Sequence, residues 1–179
     1  MFRGTLVPLS LLPFLFFFLC CSARASNASS ETWNSCFVTA GARYQIEPLL
    51  LKSIATGESS LNPRALNINK DKKTGKPASR DYGLMQINST HIPRLRSLGV
   101  LEGPEDLLNR PCLNIHIGAW ILASHFQKCG ISWNCLGSYN AGFREDRHET
   151  REKYANRIWR IYLRLKGGNI CQGARCKQS

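Results

Sequence analysis

The stretch LLLKSIATGESSLNP has its apolar residues at helical spacing. Leu51, Ile54 and Ala55 stand at i, i+3 and i+4, which lines one face of an α-helix, and the next position on that face is Glu58. A charged side chain is seldom buried unless it has a partner or a chemical role. The pattern therefore predicts a helix that carries a carboxylate towards the core, and it makes Glu58 the first candidate for a functional residue.

The rest of the pattern predicts a mostly α-helical domain with one small loop or β-hairpin element. The helix that carries Glu58 begins at Pro48, because proline suits a first helical turn, and Pro104 and Pro111 can each open a further helix. The segment from Leu61 to Tyr82 is rich in Asn, Pro, Lys, Asp and Gly. It predicts a long loop or small hairpin with its tip at Lys73-Thr74-Gly75.

Two shorter helices are predicted from capping residues and apolar faces. The first runs from Thr32 to Tyr44, with Ser29 or Ser30 as its cap. Its apolar face comprises Trp33, Cys36, Phe37, Ala40 and Tyr44. Ser132 can cap a second helix. The residues that this helix is expected to turn inward are Trp133, Leu136 and Tyr139.

A final helix is predicted from Glu149 to Lys166, with Gly167-Gly168 as its end. Its apolar stripe comprises Tyr154, Ile158, Ile161, Tyr162 and Leu165. Arg157, Arg160 and Arg164 fall on the opposite face and are expected to point to solvent.

Residues 1–25 have the features of a removable signal peptide. Arg3 provides the positive start, LVPLSLLPFLFFFLCC the apolar run, and Ala23-Arg24-Ala25 a small-x-small cleavage site, although cleavage after Ala28 is also compatible. An uncleaved anchor is the alternative, but the run contains two prolines and is shorter than the roughly 20 residues that span a bilayer. We therefore expect a leader at 1–25, a domain at 26–166 and a tail at 167–179, located in the periplasm or cell envelope.

Removal of the leader leaves six cysteines: Cys36, Cys112, Cys129, Cys135, Cys171 and Cys176. An even number in an exported chain indicates disulfides. The short separations predict the pairs Cys129–Cys135 and Cys171–Cys176, which leaves Cys36–Cys112 as a long-range pair. Zinc is the rival use, but no C-x-x-C is present and the histidines show no ligand spacing with the cysteines. No metal or cofactor is expected.

The chain carries a formal charge of +12, and loss of Arg3 and Arg24 with the leader lowers it to +10. Such a charge favours polyanions: nucleic acid, an anionic membrane surface, or bacterial cell wall. Export makes nucleic acid the least expected partner, and no aromatic-basic platform of the kind that binds nucleic acid is present. One loop collects five basic residues: Lys70, Lys72, Lys73, Lys76 and Arg80. A run of this kind is more often a solvated face than a binding site.

Burial raises the pKa of a carboxyl group, which keeps a proton available near neutral pH. Glu58 is placed for that role. The alternative is a glutamate at a helix end whose carboxylate is satisfied by the hydroxyl and backbone groups of Ser59 and Ser60.

Four motifs in order resemble the signature motifs of the soluble lytic transglycosylase family. They are Glu58-Ser59-Ser60-Leu61-Asn62-Pro63, Gly83-Leu84-Met85-Gln86-Ile87, Tyr139-Asn140-Ala141-Gly142, and Glu149-Thr150-Arg151 with Tyr154. The resemblance covers about Cys36 to Ile161. Within the family, the chain is similar to the small, exported, one-domain members that accompany secretion or conjugation machines. It implies a lysozyme-like fold and cleavage of the β-1,4 bond between N-acetylmuramic acid and N-acetylglucosamine in peptidoglycan.

The resemblance also implies roles for single residues. Glu58 would protonate the glycosidic oxygen and then act as base on the muramic C6 hydroxyl, which leaves a 1,6-anhydro end. The residues expected to contact substrate or orient Glu58 are Ser59, Met85, Gln86, Tyr139, Asn140 and Tyr154. Core packing is the alternative role for Met85, Tyr139 and Tyr154.

Asp81 departs from the family pattern. The segment DYGLMQINS is also similar to the D-Y-G-x-x-Q-I-N-S segment of c-type lysozymes, in which the aspartate is the second catalytic carboxylate. A retaining glycosidase needs two carboxyl groups about 5 Å apart. Asp81 is therefore a second candidate catalytic residue, and its presence leaves a hydrolysing muramidase open. Its alternative role is to stabilise a turn or to pair with Arg80 or Lys76.

A monomer that acts on peptidoglycan glycan strands is thus expected, with proteins of a secretion or conjugative pilus apparatus as further partners. A cell-wall-binding assembly module without turnover is the alternative from another functional class.

Overall fold

A computed structural model describes residues 33–173, with the side chains of residues 33–167. It is mostly helical and has one small sheet. Its helices and strands are α1 (Asn34–Tyr44), α2 (Pro48–Ser59), β1 (Leu66–Lys70), β2 (Pro77–Tyr82), β3 (Ile87–Asn88), α3 (Ile92–Ser97), α4 (Asp106–Asn109), α5 (Pro111–Cys129), α6 (Trp133–Ala141) and α7 (His148–Gly173). This arrangement confirms the predicted fold class and is consistent with a lysozyme-like fold.

The predicted hairpin is present as the antiparallel pair β1–β2. Leu66 lies opposite Tyr82, and the backbone N–H of Asp71 donates to the carbonyl of Lys76 at 2.9 Å to close the turn. The tip at Lys73–Gly75 is confirmed, because Gly75 adopts a left-handed φ of 68° there. A short third strand, β3, extends the sheet in the order β1-β2-β3 and was not predicted.

The core lies between α2, α5 and α7. Leu51, Ile54 and Ala55 of α2 are fully buried, as the helical spacing predicted. Helix α7 packs against both α2 and α6. The buried part of its predicted apolar stripe comprises Tyr154, Ile158, Ile161 and Tyr162. This packing fixes the C-terminal end of α2, where Glu58 stands.

Two of the three predicted disulfides are confirmed. Cys36 in α1 is bonded to Cys112 in α5, with their Cα atoms 5.3 Å apart, and Cys129 is bonded to Cys135, with Cα atoms 5.7 Å apart. The predicted pair of Cys171 with Cys176 and the predicted leader lie outside the described side chains.

Helix α1 begins later than predicted, at Asn34 rather than Thr32. Its N-cap is Trp33, which makes no side-chain capping bond, and the proposed caps Ser29 and Ser30 lie outside the described residues. The cap of α6 is confirmed, since Ser132 Oγ accepts the N–H of Cys135 at 3.1 Å. Trp133 does not point inward as predicted: in the first turn of α6 it lies exposed against Trp159.

The last helix continues to Gly173, so the prediction that Gly167-Gly168 ends it is wrong. Glycine inside a helix costs only about 1 kcal/mol relative to alanine, and a glycine stop requires a left-handed residue, which Gly167 is not. Helix α4 also begins two residues after Pro104, whose carbonyl accepts the N–H of Leu107 in the preceding turn. The division into leader, domain and tail stays a prediction.

Within residues 33–173, every helix is too short or too polar to cross a bilayer.

Candidate active site

A polar cleft of about 350 Å³ lies where the sheet meets α2, α5 and α6. Its lining residues are Glu58, Asn69, Asp81, Gln86, Ile87, Asn88, His91, Ile121, Tyr139 and Asn140. The structure thus brings together, from α2, β2, the β2–β3 loop and α6, both candidate carboxylates and three of the predicted substrate-binding residues. His91 and Ile121 were not predicted, and no motif in the sequence marks them.

Glu58 occupies the last turn of α2, and the chain turns sharply after it. Ser60 and Leu61 both adopt left-handed φ values, 53° and 61°, which end the helix and send the chain towards the sheet. The Glu58 side chain is only 13% exposed. The helix end therefore holds a carboxyl group at the edge of the core with one side open to the cleft.

Tyr154 and Arg157 of α7 both contact one oxygen of Glu58. The Tyr154 hydroxyl donates to Oε1 at 2.6 Å, and Arg157 Nη2 lies 3.5 Å from the same atom. Among the described residues, Oε2 has no hydrogen-bond partner. The partners therefore fix the orientation of the carboxyl group and leave Oε2 as the oxygen able to carry an exchangeable proton into the cleft.

Arg157 was predicted to point to solvent, but it reaches the candidate site from the rim. Its Nη1 donates to the carbonyl of Gly57 at 3.1 Å, and its guanidinium lies 5.1 Å from the ring centroid of Tyr154. The helical pattern placed the Cα correctly on the outer face, but a long arginine side chain can run back along the surface. The side chain remains about half exposed.

The pKa of Glu58 is raised above its ordinary value of 4.5, mainly because burial penalises the ionised carboxylate. The hydrogen bond from Tyr154 and the positive charge of Arg157 both lower this pKa, whereas the negative charge of Asp81 raises it. Burial outweighs the two favourable partners. The site thus retains a proton on Glu58 to a higher pH than an exposed glutamate would.

Replacement of Tyr154 by phenylalanine is expected to raise the pKa of Glu58 further. The substitution removes a bond that stabilises the ionised form and keeps most of the ring that buries the carboxyl group. Titration of the Glu58 carboxyl carbon by NMR measures the change. Tyr162→Phe is the matched control, because Tyr162 lies on the same helix and bonds to Glu47 instead. An unchanged or lowered pKa of Glu58 in Tyr154→Phe would refute this assignment.

Asp81 lies in β2 and faces the same cleft, where three asparagine amides hold it. Asn88 Nδ2 donates to Oδ1 at 2.7 Å, and Asn69 and Asn67 donate to Oδ2 at 2.7 Å and 3.2 Å. Within the described residues, neither Arg80 nor Lys76 makes the ion pair with Asp81 that the alternative required. Both oxygens of Asp81 are thus engaged by neutral donors from neighbouring strands.

The loop between β2 and β3 brings its two predicted residues to different places. Gln86 lines the cleft, and its amide donates to the carbonyl of Gly83 at 2.9 Å, which supports its left-handed φ of 47°. The Met85 side chain is fully buried against Gly118 and therefore packs in the core, which is its alternative role. Its backbone carbonyl accepts the Tyr139 hydroxyl at 2.9 Å.

Tyr139 and Asn140 project from the end of α6 into the cleft. Burial and the nearby carboxyl groups of Glu58 and Asp81 raise the pKa of Tyr139 well above 10, so its hydroxyl stays protonated and acts as a donor. Tyr139 thus links the cleft to the β2–β3 loop through Met85 and makes no direct bond to Glu58.

Ser59 has a structural role in this state. Its hydroxyl lies 2.9 Å from the carbonyl of Leu84 and 3.1 Å from that of Ala55, so it joins α2 to the β2–β3 loop. The alternative in which Ser59 and Ser60 satisfy the Glu58 carboxylate is not observed, because Tyr154 and Arg157 take that place.

Asn114 was not predicted from the sequence, although it holds the backbone of the β2–β3 loop that lines the cleft. It is fully buried in α5; its Oδ1 accepts the N–H of Met85 at 2.8 Å, and its Nδ2 donates to the carbonyls of Tyr82 and Leu107 at 2.8 Å and 3.0 Å. The available signal was a single amide on the apolar face of the segment NIHIGAWIL. A polar residue at such a position needs partners.

Similarity to known proteins covers the part of the chain that forms the cleft. A family model described as the transglycosylase SLT domain matches residues 35–162, which include every residue of the cleft. A peptidoglycan-binding-like protein of Escherichia coli O157:H7 is 49% identical over 132 residues, covering 74% of this chain and 78% of the relative.

Two further relatives are similar over most of their length. Invasion protein IagB of Salmonella typhimurium strain SL1344 is 41% identical over 138 residues, covering 77% of this chain and 81% of the relative. Protein IpgF of Shigella flexneri is 40% identical over 152 residues, covering 85% of this chain and 91% of the relative.

Proposed function

The chain belongs to the transglycosylase SLT domain family, and from this premise we propose that it cleaves the β-1,4 bond between N-acetylmuramic acid and N-acetylglucosamine in peptidoglycan. The observation that carries the proposal is the state of Glu58. It is a largely buried carboxyl group with a raised pKa, oriented through Oε1 by Tyr154 and Arg157, in a polar cleft. These are the properties that a general acid requires at neutral pH.

In the proposed first step, Glu58 transfers a proton to the glycosidic oxygen as the bond from that oxygen to the muramic C1 breaks. The leaving sugar gains a hydroxyl group, and positive charge develops on the ring that keeps C1. Asp81 lies on the same cleft and provides negative charge near the bond that breaks. The step uses Oε2 as the proton donor, since Oε1 is already held by its two partners.

In the proposed second step, the ionised Glu58 takes the proton of the muramic C6 hydroxyl while the C6 oxygen forms a bond to C1. The product is a 1,6-anhydro ring, and Glu58 returns to its protonated state without consuming water. One carboxyl group thus acts as acid and then as base. Arg157 and Tyr154 assist because both stabilise the ionised intermediate state of Glu58.

Hydrolysis through Asp81 is a second candidate, and the position of Asp81 in the cleft is the observation that favours it. The three amide donors weigh against Asp81 as a nucleophile, because they engage both of its oxygens. We therefore assign Asp81 to electrostatic stabilisation and to bracing of the sheet, and the C6 hydroxyl to the attack on C1.

The Asp81→Asn variant is expected to retain the 1,6-anhydro product at a reduced rate. Removal of a stabilising charge slows the reaction less than removal of a nucleophile, which costs roughly 10³-fold or more. Mass spectrometry of the sugars released from purified peptidoglycan gives both the product and the rate. Ser79→Ala is a control that alters the same hydrogen-bonded strand region without touching the carboxylate. Complete loss of products in Asp81→Asn alone would favour the two-carboxylate mechanism instead.

The biological setting is proposed from the relatives. One of them is named an invasion protein, which supports local opening of the cell wall for a secretion apparatus, and the disulfides support a periplasmic or envelope location. The direct test is to replace the native copy with Glu58→Gln in the source cell and count assembled machines. An unchanged count would contradict this setting while leaving the enzymatic proposal intact.

A further inference from the structure

Four large apolar side chains form an exposed surface on the side of the domain defined by the short disulfide loop and α7. Ile131 and Trp133 in the loop closed by Cys129–Cys135 are 87% and 47% exposed, and Trp159 and Leu163 of α7 are 40% and 46% exposed. We call Ile131, Trp133, Trp159 and Leu163 the aromatic patch. The proposed reaction uses none of them.

Contacts between rings hold the patch together. The ring centroids of Trp133 and Trp159 are 5.0 Å apart in an edge-to-face arrangement, and Tyr162 stacks on Trp159 at 5.6 Å. Trp159 and Leu163 stand one helical turn apart, so they face the same way. The loop that carries Ile131 and Trp133 is closed by a disulfide, which limits its freedom to fold the two side chains away from water.

Exposed apolar groups that adjoin one another indicate an interaction surface, whereas single exposed ones do not. Here the disulfide and the contacts between rings hold these side chains in water although their exposure is unfavourable. The patch therefore calls for a partner that removes it from water.

Basic residues of α7 lie beside the patch and on the adjoining face of the helix. Lys166 Nζ lies 5.7 Å from the ring centroid of Tyr162, and Arg160 and Arg164 stand on the adjoining face, next to Arg157 and the C-terminal end of α2. The combination of indole rings, aliphatic side chains and basic groups is typical of proteins that bind at the headgroup level of anionic lipids.

Three carboxylates belong to the same region. Lys153 Nζ lies 2.6 Å from Glu149 and offsets its charge, whereas Glu47, which accepts the Tyr162 hydroxyl at 2.9 Å, and Glu152, 3.8 Å from His148, keep theirs. Arg160, Arg164 and Lys166 still outnumber Glu47 and Glu152, which favours a negatively charged surface.

We propose that the aromatic patch docks this domain on the surface of an anionic phospholipid bilayer. Ile131 protrudes, since it is almost fully exposed at a loop tip, and a protruding aliphatic group suits a soft interface better than the recess that holds a peptide. A glycan strand fits less well, because sugars stack on open aromatic faces and Tyr162 covers one face of Trp159. An acidic protein would satisfy the charges but would need a groove for Ile131.

Docking through the patch would leave the catalytic cleft accessible. Trp159 and Leu163 lie on the side of α7 opposite Tyr154 and Ile161, which face the core and the Glu58 carboxyl group. The domain would therefore rest on the bilayer with its cleft directed away from the lipid. This orientation would keep the enzyme near the membrane while the cleft reaches the wall.

Co-sedimentation with vesicles tests the proposal. Oxidised, exported protein, with its N-terminus checked by mass so that a retained leader is not misread as docking, is mixed with vesicles of phosphatidylglycerol and phosphatidylethanolamine or of phosphatidylcholine alone. We expect binding to the anionic vesicles, weakened about tenfold by Ile131→Asp, which places a charge in the apolar interface. Arg160→Gln with Arg164→Gln is expected to weaken binding roughly fivefold for each charge removed.

Val38→Asp is the matched control, because Val38 is an aliphatic residue that is 56% exposed on α1, away from the patch, and receives the same change of charge. We expect it to bind vesicles like the unaltered protein. The assay is repeated with Glu58→Gln, so that failure of the catalytic proposal does not affect the result. Three results would each overturn the proposal. They are equal binding of Ile131→Asp and Val38→Asp, no binding to anionic vesicles, and loss of glycan binding rather than vesicle binding in Ile131→Asp.

Discussion

Glu58→Gln is expected to lower the rate of peptidoglycan cleavage by at least about 10³-fold while the protein remains folded. Glutamine has nearly the same shape as glutamate and can still accept a hydrogen bond from Tyr154, but it cannot donate a proton to the glycosidic oxygen. It also cannot accept one from the C6 hydroxyl. Both proposed steps fail together, because the same carboxyl group carries both.

The pH dependence of folding separates this loss from damage to the fold. The folded state binds the Glu58 proton more tightly than the unfolded state, since burial raises its pKa above 4.5. The free energy of unfolding of the native protein therefore falls as pH rises from about 4.5 through the folded pKa. Glu58→Gln removes this term, so the variant should gain stability relative to the native protein across that range.

Solution assays with a matched control decide the prediction. Glu152→Gln changes a glutamate whose carboxylate is exposed on α7, and both its rate and its stability are expected to stay near native values. Release of soluble sugars from purified sacculi measures turnover, and denaturant unfolding at several pH values measures stability. Native turnover by Glu58→Gln would reject Glu58 as the catalytic residue and would favour another acid, whereas no turnover by the native protein itself would favour a wall-binding module.

Asn114→Ala is expected to lower the free energy of unfolding by about 3 kcal/mol. The truncation leaves the N–H of Met85 without its acceptor and removes a donor from the carbonyls of Tyr82 and Leu107, all in a fully buried position. Loss of these bonds also frees the β2–β3 loop. Because that loop carries Gln86 and supports Tyr139, activity should fall together with stability.

Denaturant unfolding of Asn114→Ala and Asn109→Ala, at fixed protein concentration and with both disulfides oxidised, measures this effect. Asn109 is an exposed asparagine at the end of α4, and its truncation should change the free energy of unfolding by less than about 0.5 kcal/mol. Similar values for the two variants would show that the buried amide is not the support that its contacts indicate.

The position of Glu58 could be predicted because it depends on a local regularity. Helical spacing fixes which residues share a face, so the buried positions of Leu51, Ile54 and Ala55 predicted where the fourth residue would point. The hairpin and the Ser132 cap were predicted for the same reason, since turn and capping chemistry depend on neighbours in sequence. The approach of Tyr154 was expected only from the family resemblance.

The surroundings of both carboxyl groups depend on contacts that sequence spacing does not contain. Asp81 meets Asn69 because of the register of β1 and β2, and it meets Asn88 through β3, a strand too short to give a periodic signal. Arg157 was misplaced because its side chain, not its Cα, reaches Glu58. Trp133 was misplaced because a first-turn residue of α6 had the outer face of α7 available as a packing partner.

The measurement that tests the central claim most directly is digestion of purified peptidoglycan in ¹⁸O-labelled water, followed by mass spectrometry of the released sugars. Attack by the C6 hydroxyl consumes no water, so we predict 1,6-anhydromuramic ends without ¹⁸O, and no products with Glu58→Gln. Reducing ends that carry ¹⁸O would contradict this account, because they would show that water attacks C1 and that the protein is a hydrolysing muramidase.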